Sequence, residues 1–156
     1  MLESSQTMQI TEMFSTTQEK MLKWAASHSM WPISFGFSCC ASEIVQSTHN
    51  KAEIQKFCSS FKTEPQQSDL LIISGAITTK ISSHVLAIYE QMLCPKYVVA
   101  VGNCALSGGL FHEAYSLIKI DTLLPIDIEI SGCPPSSADI AQGIFNLQNQ
   151  INRKIS

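Results

Sequence analysis

The sequence predicts a three-layer α/β fold with a mostly parallel, four-stranded sheet. Continuous apolar runs stand at "DLLIIS" and "KYVVAV". Such runs are typical of strands that are buried on both faces. Segments in which apolar residues recur at helical spacing separate these runs along the chain. Strands that alternate with helices favour parallel pairing, with helices covering both faces of the sheet.

The first part of the chain contains the less regular patterns. Residues 1–17 are polar and are predicted to form a flexible arm. A helix is predicted over 18–27, a first strand over 32–37 and a second helix over 41–48. The polar segment 49–67 interrupts the apolar pattern and is predicted to be irregular.

The second part of the chain contains the clearest strands and helices. We predict strands within 68–78, 96–103 and 127–131. Ser136 is placed to cap the last helix, because its hydroxyl can accept a hydrogen bond from the first helical turn. Two helices are marked by apolar residues at three- to four-residue spacing: Ile81, Val85, Ile88 and Met92, and then Ile140, Ile144, Leu147 and Ile151.

Composition indicates one ordered domain, which we place at 18–156. The chain has 156 residues, of which 45% are hydrophobic, and this length is sufficient for a substantial core. A net charge of −3 provides no basic surface for nucleic acid. No stretch reaches the ~18 apolar residues of a membrane span, and the first residues lack the pattern of a secretory signal. We therefore expect a reducing compartment, where cysteines more often bind metal or catalyse than form disulfides.

Four of the six cysteines follow predicted strands. Cys39 and Cys40 come after the first strand, Cys104 after the third and Cys133 after the fourth. Ligands of open parallel α/β sheets bind at the carboxyl ends of the strands. The four thiols are therefore expected at one edge of a flavodoxin-like fold. Two cysteines fall outside this pattern: Cys58 and Cys94.

Three interpretations of these cysteines are open: buried core residues, zinc ligands, or ligands of an iron–sulfur cluster. Structural zinc commonly uses cysteine pairs separated by two to four residues, which the adjacent Cys39 and Cys40 do not match. A [4Fe–4S] cluster spreads its irons over a larger volume, so neighbouring sulfurs can each reach a different iron. We favour the cluster on these grounds, and we expect strained backbone between Cys39 and Cys40.

Glycines and prolines beside the cysteines agree with a bulky inorganic group. Gly102, Gly108 and Gly109 allow the backbone to approach such a group closely. Pro134 and Pro135, directly after the fourth cysteine, fix the chain and remove two amide donors.

Four longer stretches carry a more specific signal: "SMWPISFGFSCCASE", "PQQSDLLIISGAITTK", "YEQMLCPKYVVAVGNCALSGGLFH" and "PIDIEISGCPPSSADIAQGI". Together they resemble the B (20 kDa) subunit family of respiratory complex I, the proton-pumping NADH:ubiquinone oxidoreductase. The resemblance runs from about Lys20 to Lys154, almost without gaps. It depends most on the tandem cysteines, on G-x-C-A-x-x-G-G and on G-C-P-P.

The resemblance implies a cofactor, a substrate and partners. In that family the motif cysteines hold the terminal [4Fe–4S] cluster, which passes electrons to ubiquinone at a pocket shared with the 49 kDa subunit. The chain would then be one subunit of an enzyme, without a complete active site of its own. Its other partners would be the upstream iron–sulfur subunit and membrane-arm subunits near the quinone channel. The matching cluster ligands are Cys39, Cys40, Cys104 and Cys133.

Further positions are implied by the same resemblance. Glu43 matches the acid of the family's C-C-A-x-E motif, and we consider it a candidate for proton coupling. Ile44 and Val45 stand where the family usually has methionines near the quinone, so both are quinone-side candidates. Gln66 stands where the family usually has arginine, and His112 is a further, isolated titratable candidate.

Two other functions stay open at this point. One is the small iron–sulfur subunit of a membrane-bound [NiFe] hydrogenase, or of the photosynthetic ferredoxin:quinone complex. The other is a non-redox module that binds zinc or serves as a scaffold. For location we expect the matrix side of the mitochondrial inner membrane, as a peripheral protein. The alternative is the cytoplasmic face of a bacterial plasma membrane.

Overall fold

The computed structural model describes residues 29–49 and 61–155, together with Met21 and Ala25, which are both helical. The predicted arm 1–17 lies outside the described residues, as does the predicted helix 18–27 apart from Met21 and Ala25.

Four parallel strands form one sheet in the order β1-β2-β3-β4. At the carboxyl edge, Gly36 pairs with Ser74, Ser74 with Val101, and Val101 with Ile130. The predicted three-layer, flavodoxin-like α/β fold with a parallel four-stranded sheet is thereby confirmed. The strands are β1 Pro32–Gly36, β2 Leu70–Ser74, β3 Tyr97–Val101 and β4 Ile128–Ile130.

Helices cover both faces of the sheet. The described α-helices are α1 Ser38–His49, α2 Thr79–Gln91, α3 Asn103–Ser107 and α4 Ser137–Ile155. Side chains of α1 and α4 share one core layer with the sheet, and side chains of α2 share the other. Short 3₁₀ turns occur at Pro65–Gln67, Gly109–Phe111 and Ile120–Thr122.

The central strands are buried on both faces, as their continuous apolar sequences predict. Leu70 and Ile72 of β2 point to the α1 and α4 side, whereas Leu71 and Ile73 point to the α2 side. None of the four is more than 1% exposed. Full burial of a side chain of this kind stabilises a fold by about 1.5–3 kcal/mol. The two layers therefore hold the carboxyl edge of the sheet rigidly in place.

Helix α4 begins at a reciprocal cap, as predicted for Ser136. The Asp139 N–H donates to the Ser136 Oγ at 3.3 Å, and the Ser136 N–H donates to the Asp139 carboxylate at 3.0 Å. This is the capping-box arrangement, with aspartate in the acidic position. The hydrogen bonds from Ser136 hold the pKa of Asp139 below its usual value. All four residues of the predicted apolar stripe of this helix are buried.

The structure differs from the sequence prediction at two places near the cysteines: one helix boundary is wrong, and one short helix was not predicted. Helix α1 begins at Ser38, three residues earlier than predicted, so Cys39 and Cys40 lie in its first turn. The short helix α3, which contains Cys104, was not predicted at all. Both differences arise at turns that follow strands, where contacts with other strands override the local sequence pattern.

Candidate metal centre

The chain crosses the end of β2 as it passes from β1 into α1. The Phe37 N–H donates to the carbonyl of Ser74 at 3.2 Å. A Cβ atom at Gly75 would stand 2.8 Å from the carbonyl oxygen of Phe37, so only glycine permits this close approach. The crossing carries the tandem cysteines from the edge strand towards the middle of the sheet.

Ser38 makes the bend at the end of this crossing. Its φ angle is 70°, and it is the only described residue other than glycine with a positive φ. A left-handed conformation at such a residue costs on the order of 1–3 kcal/mol. Cys39 and Cys40 themselves are helical. The strain predicted between the two cysteines therefore lies one residue earlier, at Ser38.

Cys40 ends up over the carboxyl end of β3, although it follows β1 in the chain. Its side chain is only 3% exposed. Its Sγ lies 2.5 Å from the position that a Cβ on Gly102 would occupy, and Gly102 directly follows β3. Gly102 also has a φ of 87°, which disfavours every residue except glycine. The absence of a side chain at Gly102 makes the space for the Cys40 sulfur.

The turns after β3 and β4, which carry Cys104 and Cys133, are hydrogen-bonded to each other. The Asn103 N–H donates to the carbonyl of Gly132 at 2.9 Å, and the Gly132 N–H donates to the Asn103 Oδ1 at 3.0 Å. The Gly102 N–H donates to the carbonyl of the last β4 residue at 2.7 Å. We refer to the first two bonds as the Asn103–Gly132 link. It fixes the spacing between the two cysteine turns.

Backbone also approaches the third cysteine closely. A Cβ at Gly109 would lie 3.0 Å from the Sγ of Cys104, and Gly109 has a φ of 52°. After the fourth cysteine, Cys133–Pro134 is a cis peptide bond. Glycine therefore lies directly against two of the four sulfurs, in agreement with the sequence prediction for this edge.

The four thiols interact electrostatically around Cys40. Burial, and then the neighbouring thiols of Cys39, Cys104 and Cys133, raise the pKa of Cys40 to about 11. A hydrogen bond with Cys39 contributes in the same direction. The four sequence-predicted cysteines thus lie in the turns at one edge of the sheet, and Cys40 is the buried one of the four. Coordination to a metal would remove the Cys40 proton, because thiols bind metals as thiolates.

The chemistry of the four thiols can be compared with the needs of a single ion and of a cluster. Among the described residues, no three His, Cys, Asp or Glu side chains are arranged as ligands of one metal ion. One zinc ion needs its sulfurs at about 2.3 Å from a common point, whereas a cubane cluster accepts sulfurs that are spread further apart. The glycines leave room for the sulfurs of Cys40 and Cys104 against the backbone. The donor set and its surroundings therefore fit a [4Fe–4S] cluster.

The remaining candidates divide between core and surface. Ile44 is 2% exposed and belongs to the core layer under α1, whereas Val45 is 55% exposed. Val45 lines an open cavity of about 440 Å³ together with Ala41 and other α1 residues. Glu43 is partly exposed on the same helix. Of the two quinone-side candidates, only Val45 faces outwards.

Cys94 lies away from the four thiols, and His112 is exposed. Cys94 is exposed and follows α2, next to Leu93, whose N–H donates to Ser68 at the amino end of β2. It is therefore at the opposite edge of the sheet, and it follows a helix rather than a strand. His112 is 65% exposed and 3.7 Å from Glu113, an ion pair of little energetic weight. Cys58 is outside the described residues.

An exposed apolar surface adjoins the cysteine edge. It consists of Leu110, Phe111 and Tyr115, which follow α3 and are 83%, 58% and 102% exposed. We call these three residues the α3 apolar surface. Side chains of this size, exposed close together, are typical of a protein contact surface.

Sequence reasoning missed three residues of this site: Ser38, Ser74 and Asn103. The hydroxyl of Ser74 at the end of an otherwise apolar strand was a usable signal. The sequence around Asn103 contains no such signal, because its hydrogen-bond partner Gly132 is 29 positions away.

The fold and this edge define a class of protein, an α/β domain that gathers four cysteines at the carboxyl ends of parallel strands. The sequence model of one family, described as the NADH ubiquinone oxidoreductase 20 kDa subunit, matches residues 13–147. The chain belongs to this family, which consists of oxidoreductase subunits of respiratory electron transport. The resemblance identified from the motifs is confirmed.

A solved structure supports the same relationship. The chain is similar to a chain in the membrane-bound sulfane sulfur reductase, an archaeal respiratory membrane complex. The two are 30% identical, and the match covers 86% of this chain and 77% of that one, with a TM-score of 0.78. Among the described residues, no helix is long and apolar enough to cross a membrane.

Proposed function

We propose that this chain is the electron-transfer subunit of a proton-translocating NADH:ubiquinone oxidoreductase that binds the terminal [4Fe–4S] cluster. Cys39, Cys40, Cys104 and Cys133 would hold the cluster. The observation that carries this proposal is the position of these four thiols in the turns at the carboxyl edge of the sheet, with the Cys40 sulfur against Gly102 and the Cys104 sulfur against Gly109. The family membership supports it independently.

When bound, such a cluster supplies one-electron transfer between the upstream carriers and ubiquinone. The chain's own residues position and shield it. Helix α1 places two sulfurs, and the Asn103–Gly132 link fixes the distance between the other two turns. Gly102 and Gly109 leave space at the sulfurs. Val45, supported from the core by Ile44, would face the quinone from α1.

Partners and location follow from the same proposal. The α3 apolar surface lies beside the cysteine edge and is suited to cover by the 49 kDa subunit, with the upstream iron–sulfur subunit and the membrane-arm subunits completing the assembly. The chain would be peripheral, on the matrix side of the mitochondrial inner membrane. Extraction of isolated mitochondrial membranes by alkali tests this. We expect the protein in the alkali extract of these membranes, and a protein absent from the isolated mitochondrial membranes would contradict the assignment.

Metal and sulfide analysis of the purified assembly tests the cofactor. We expect four irons and four acid-labile sulfides at this subunit, and an electron paramagnetic resonance (EPR) signal of a reduced [4Fe–4S] centre. Zinc without iron would instead support the non-redox module.

A second candidate is a subunit of a related respiratory complex with another electron donor or acceptor. The similarity to a sulfane sulfur reductase, which is not an NADH:quinone enzyme by description, is the observation that favours it. Comparing NADH, hydrogen and reduced ferredoxin as donors to the assembly separates the alternatives. Quinone reduction by NADH alone is expected.

Replacing Glu43 by glutamine is expected to weaken the pH dependence of the cluster's midpoint potential. Reduction adds negative charge to the site, and a nearby carboxylate can take up a proton in response. Glu43 lies on α1, one turn after the tandem cysteines. Redox titrations followed by EPR at several pH values measure this effect. Glu90→Gln, on an exposed position of α2, is the control, and an unchanged slope in Glu43→Gln would exclude Glu43 from this role.

A further inference from the structure

Ser74, the last residue of β2, has a buried hydroxyl that lacks a hydrogen-bond partner. The residue is 0% exposed, and its Oγ is the only fully buried side-chain nitrogen or oxygen without a partner among the described residues. A buried hydroxyl that is left unpaired costs about 1–3 kcal/mol. Native proteins seldom retain such a group without a reason. The hydroxyl is therefore a candidate donor to a group that arrives later.

The hydroxyl points to the face of the sheet that carries the tandem cysteines. Alternation along β2 puts Ser74 on the same face as Leu70 and Ile72, which pack in the core layer with α1. It stands against Gly36, where any Cβ would collide with the Ser74 Oγ. The segment that crosses β2 towards Cys39 is hydrogen-bonded to the Ser74 carbonyl. Ser74 thus lies beneath the turn that delivers these cysteines.

The pairing of β2 with β3 places Ser74 close to the turn that contacts Cys40. Ser74 pairs in register with Val101, and the next residue, Gly102, lies against the Cys40 sulfur. Cys40 is the buried cysteine of the four, whereas the other three are partly or fully exposed. Ser74 and Cys40 are therefore both buried at this edge, and the Ser74 Oγ, which stands over Gly36 in this structure, would turn towards β3 to reach the Cys40 sulfur.

We propose that the Ser74 hydroxyl donates a hydrogen bond to the Cys40 sulfur when that sulfur is a metal-bound thiolate. The inference rests on the proposed function. A neutral thiol is a weak acceptor, whereas a thiolate is a strong one, so the bond belongs to the loaded protein. The proton stays on the serine oxygen and no covalent bond changes. Such a bond stabilises negative charge at the sulfur and raises the reduction potential of the centre.

Ser74→Ala in the assembled complex tests the proposal with little change in volume. We expect iron and sulfide content to stay at the wild-type level and the midpoint potential to shift downwards. In electron–nuclear double resonance (ENDOR) after transfer to D₂O, we expect the wild type to show one slowly exchanging proton coupled to the reduced centre. That coupling should be missing from Ser74→Ala.

Ser82→Ala is the matched control. Ser82 is also a buried serine, but its Oγ donates to the Thr79 carbonyl at 2.8 Å on the α2 side of the sheet. This control should change neither the potential nor the proton coupling. Identical potentials and identical couplings in Ser74→Ala and wild type, with iron present, would overturn the role of Ser74.

Two outcomes separate this inference from the function on which it rests. A wild-type complex without iron at this subunit would overturn the proposed function itself. A wild-type complex with iron but without any slowly exchanging coupled proton would overturn only the role of Ser74. The second measurement needs no variant, so the absence of such a proton would overturn the role of Ser74 even if Ser74→Ala does not assemble.

Discussion

Replacing Cys40 by alanine is expected to abolish the [4Fe–4S] signal and quinone reduction by the assembled complex. Cys40 is the thiol around which the other three gather, and it is the only buried one among them. Loss of a partner outside the ligand shell typically costs ~10–100-fold in metal affinity or activity. The decrease in metal affinity and activity on removal of this ligand is expected to exceed that range. Iron, sulfide and EPR intensity per complex measure the effect.

Cys94→Ala is the matched control for this change. Cys94 is a free cysteine at the opposite edge of the sheet. The complex that carries Cys94→Ala should therefore retain full iron content and activity. Assembly of the Cys40→Ala chain is checked by its co-purification with the other subunits. A Cys40→Ala complex with four irons at this subunit would contradict the ligand assignment, whatever its activity.

Replacing Gly102 by alanine is expected to have the second largest effect, although the residue has no reactive side chain. Its φ of 87° and ψ of 152° lie in a region that essentially only glycine adopts, so an alanine there is strained by on the order of 1–3 kcal/mol. The added Cβ would also stand 2.5 Å from the Cys40 Sγ, so the sulfur must move. Cys40 is packed in the core, and it has little room to give way. We expect both a lower unfolding temperature and a severe loss of bound iron.

Gly108→Ala separates these two consequences. Gly108 also has a positive φ, 83°, although in the left-handed region, and the nearest atoms to its added Cβ belong to His112 and Leu117 rather than to a cysteine. The control should therefore lose stability but retain more iron than Gly102→Ala. Thermal unfolding and iron content, measured on both variants, test this. Equal iron loss in the two variants would show that backbone strain alone explains the effect.

The sheet and the location of the site were predictable because their signals are local. Continuous apolar runs identify β2 and β3, and cysteines that follow strands in a parallel sheet must come to one edge. The strand order is not encoded by any one segment, and neither is the start of α1. That helix begins early because the Phe37 N–H bonds to Ser74, a residue 37 positions away in the chain. Local patterns contain no information about such a contact.

The layer that each apolar residue near the cysteines joins could not be predicted, for the same reason. Ile33 and Phe35 pack with the α2 layer, whereas Ile44 packs with the α1 layer. The sheet itself therefore separates these apolar residues into two layers. Phe37, at the crossing, is 44% exposed and remains near the cysteine edge. Which face a strand residue occupies depends on the register of the whole sheet.

The Asn103–Gly132 link has a consequence for the speed of electron transfer. A carrier exchanges electrons rapidly when its surroundings move little as its charge changes. The link joins the two turns that carry the proposed ligands Cys104 and Cys133 by a pair of reciprocal hydrogen bonds, and both turns follow adjacent strands that pair with each other. The ligand frame is thereby fixed before any electron arrives, as in other preorganised sites. In this protein a low reorganisation barrier would be a property of the sheet edge rather than of the cluster alone.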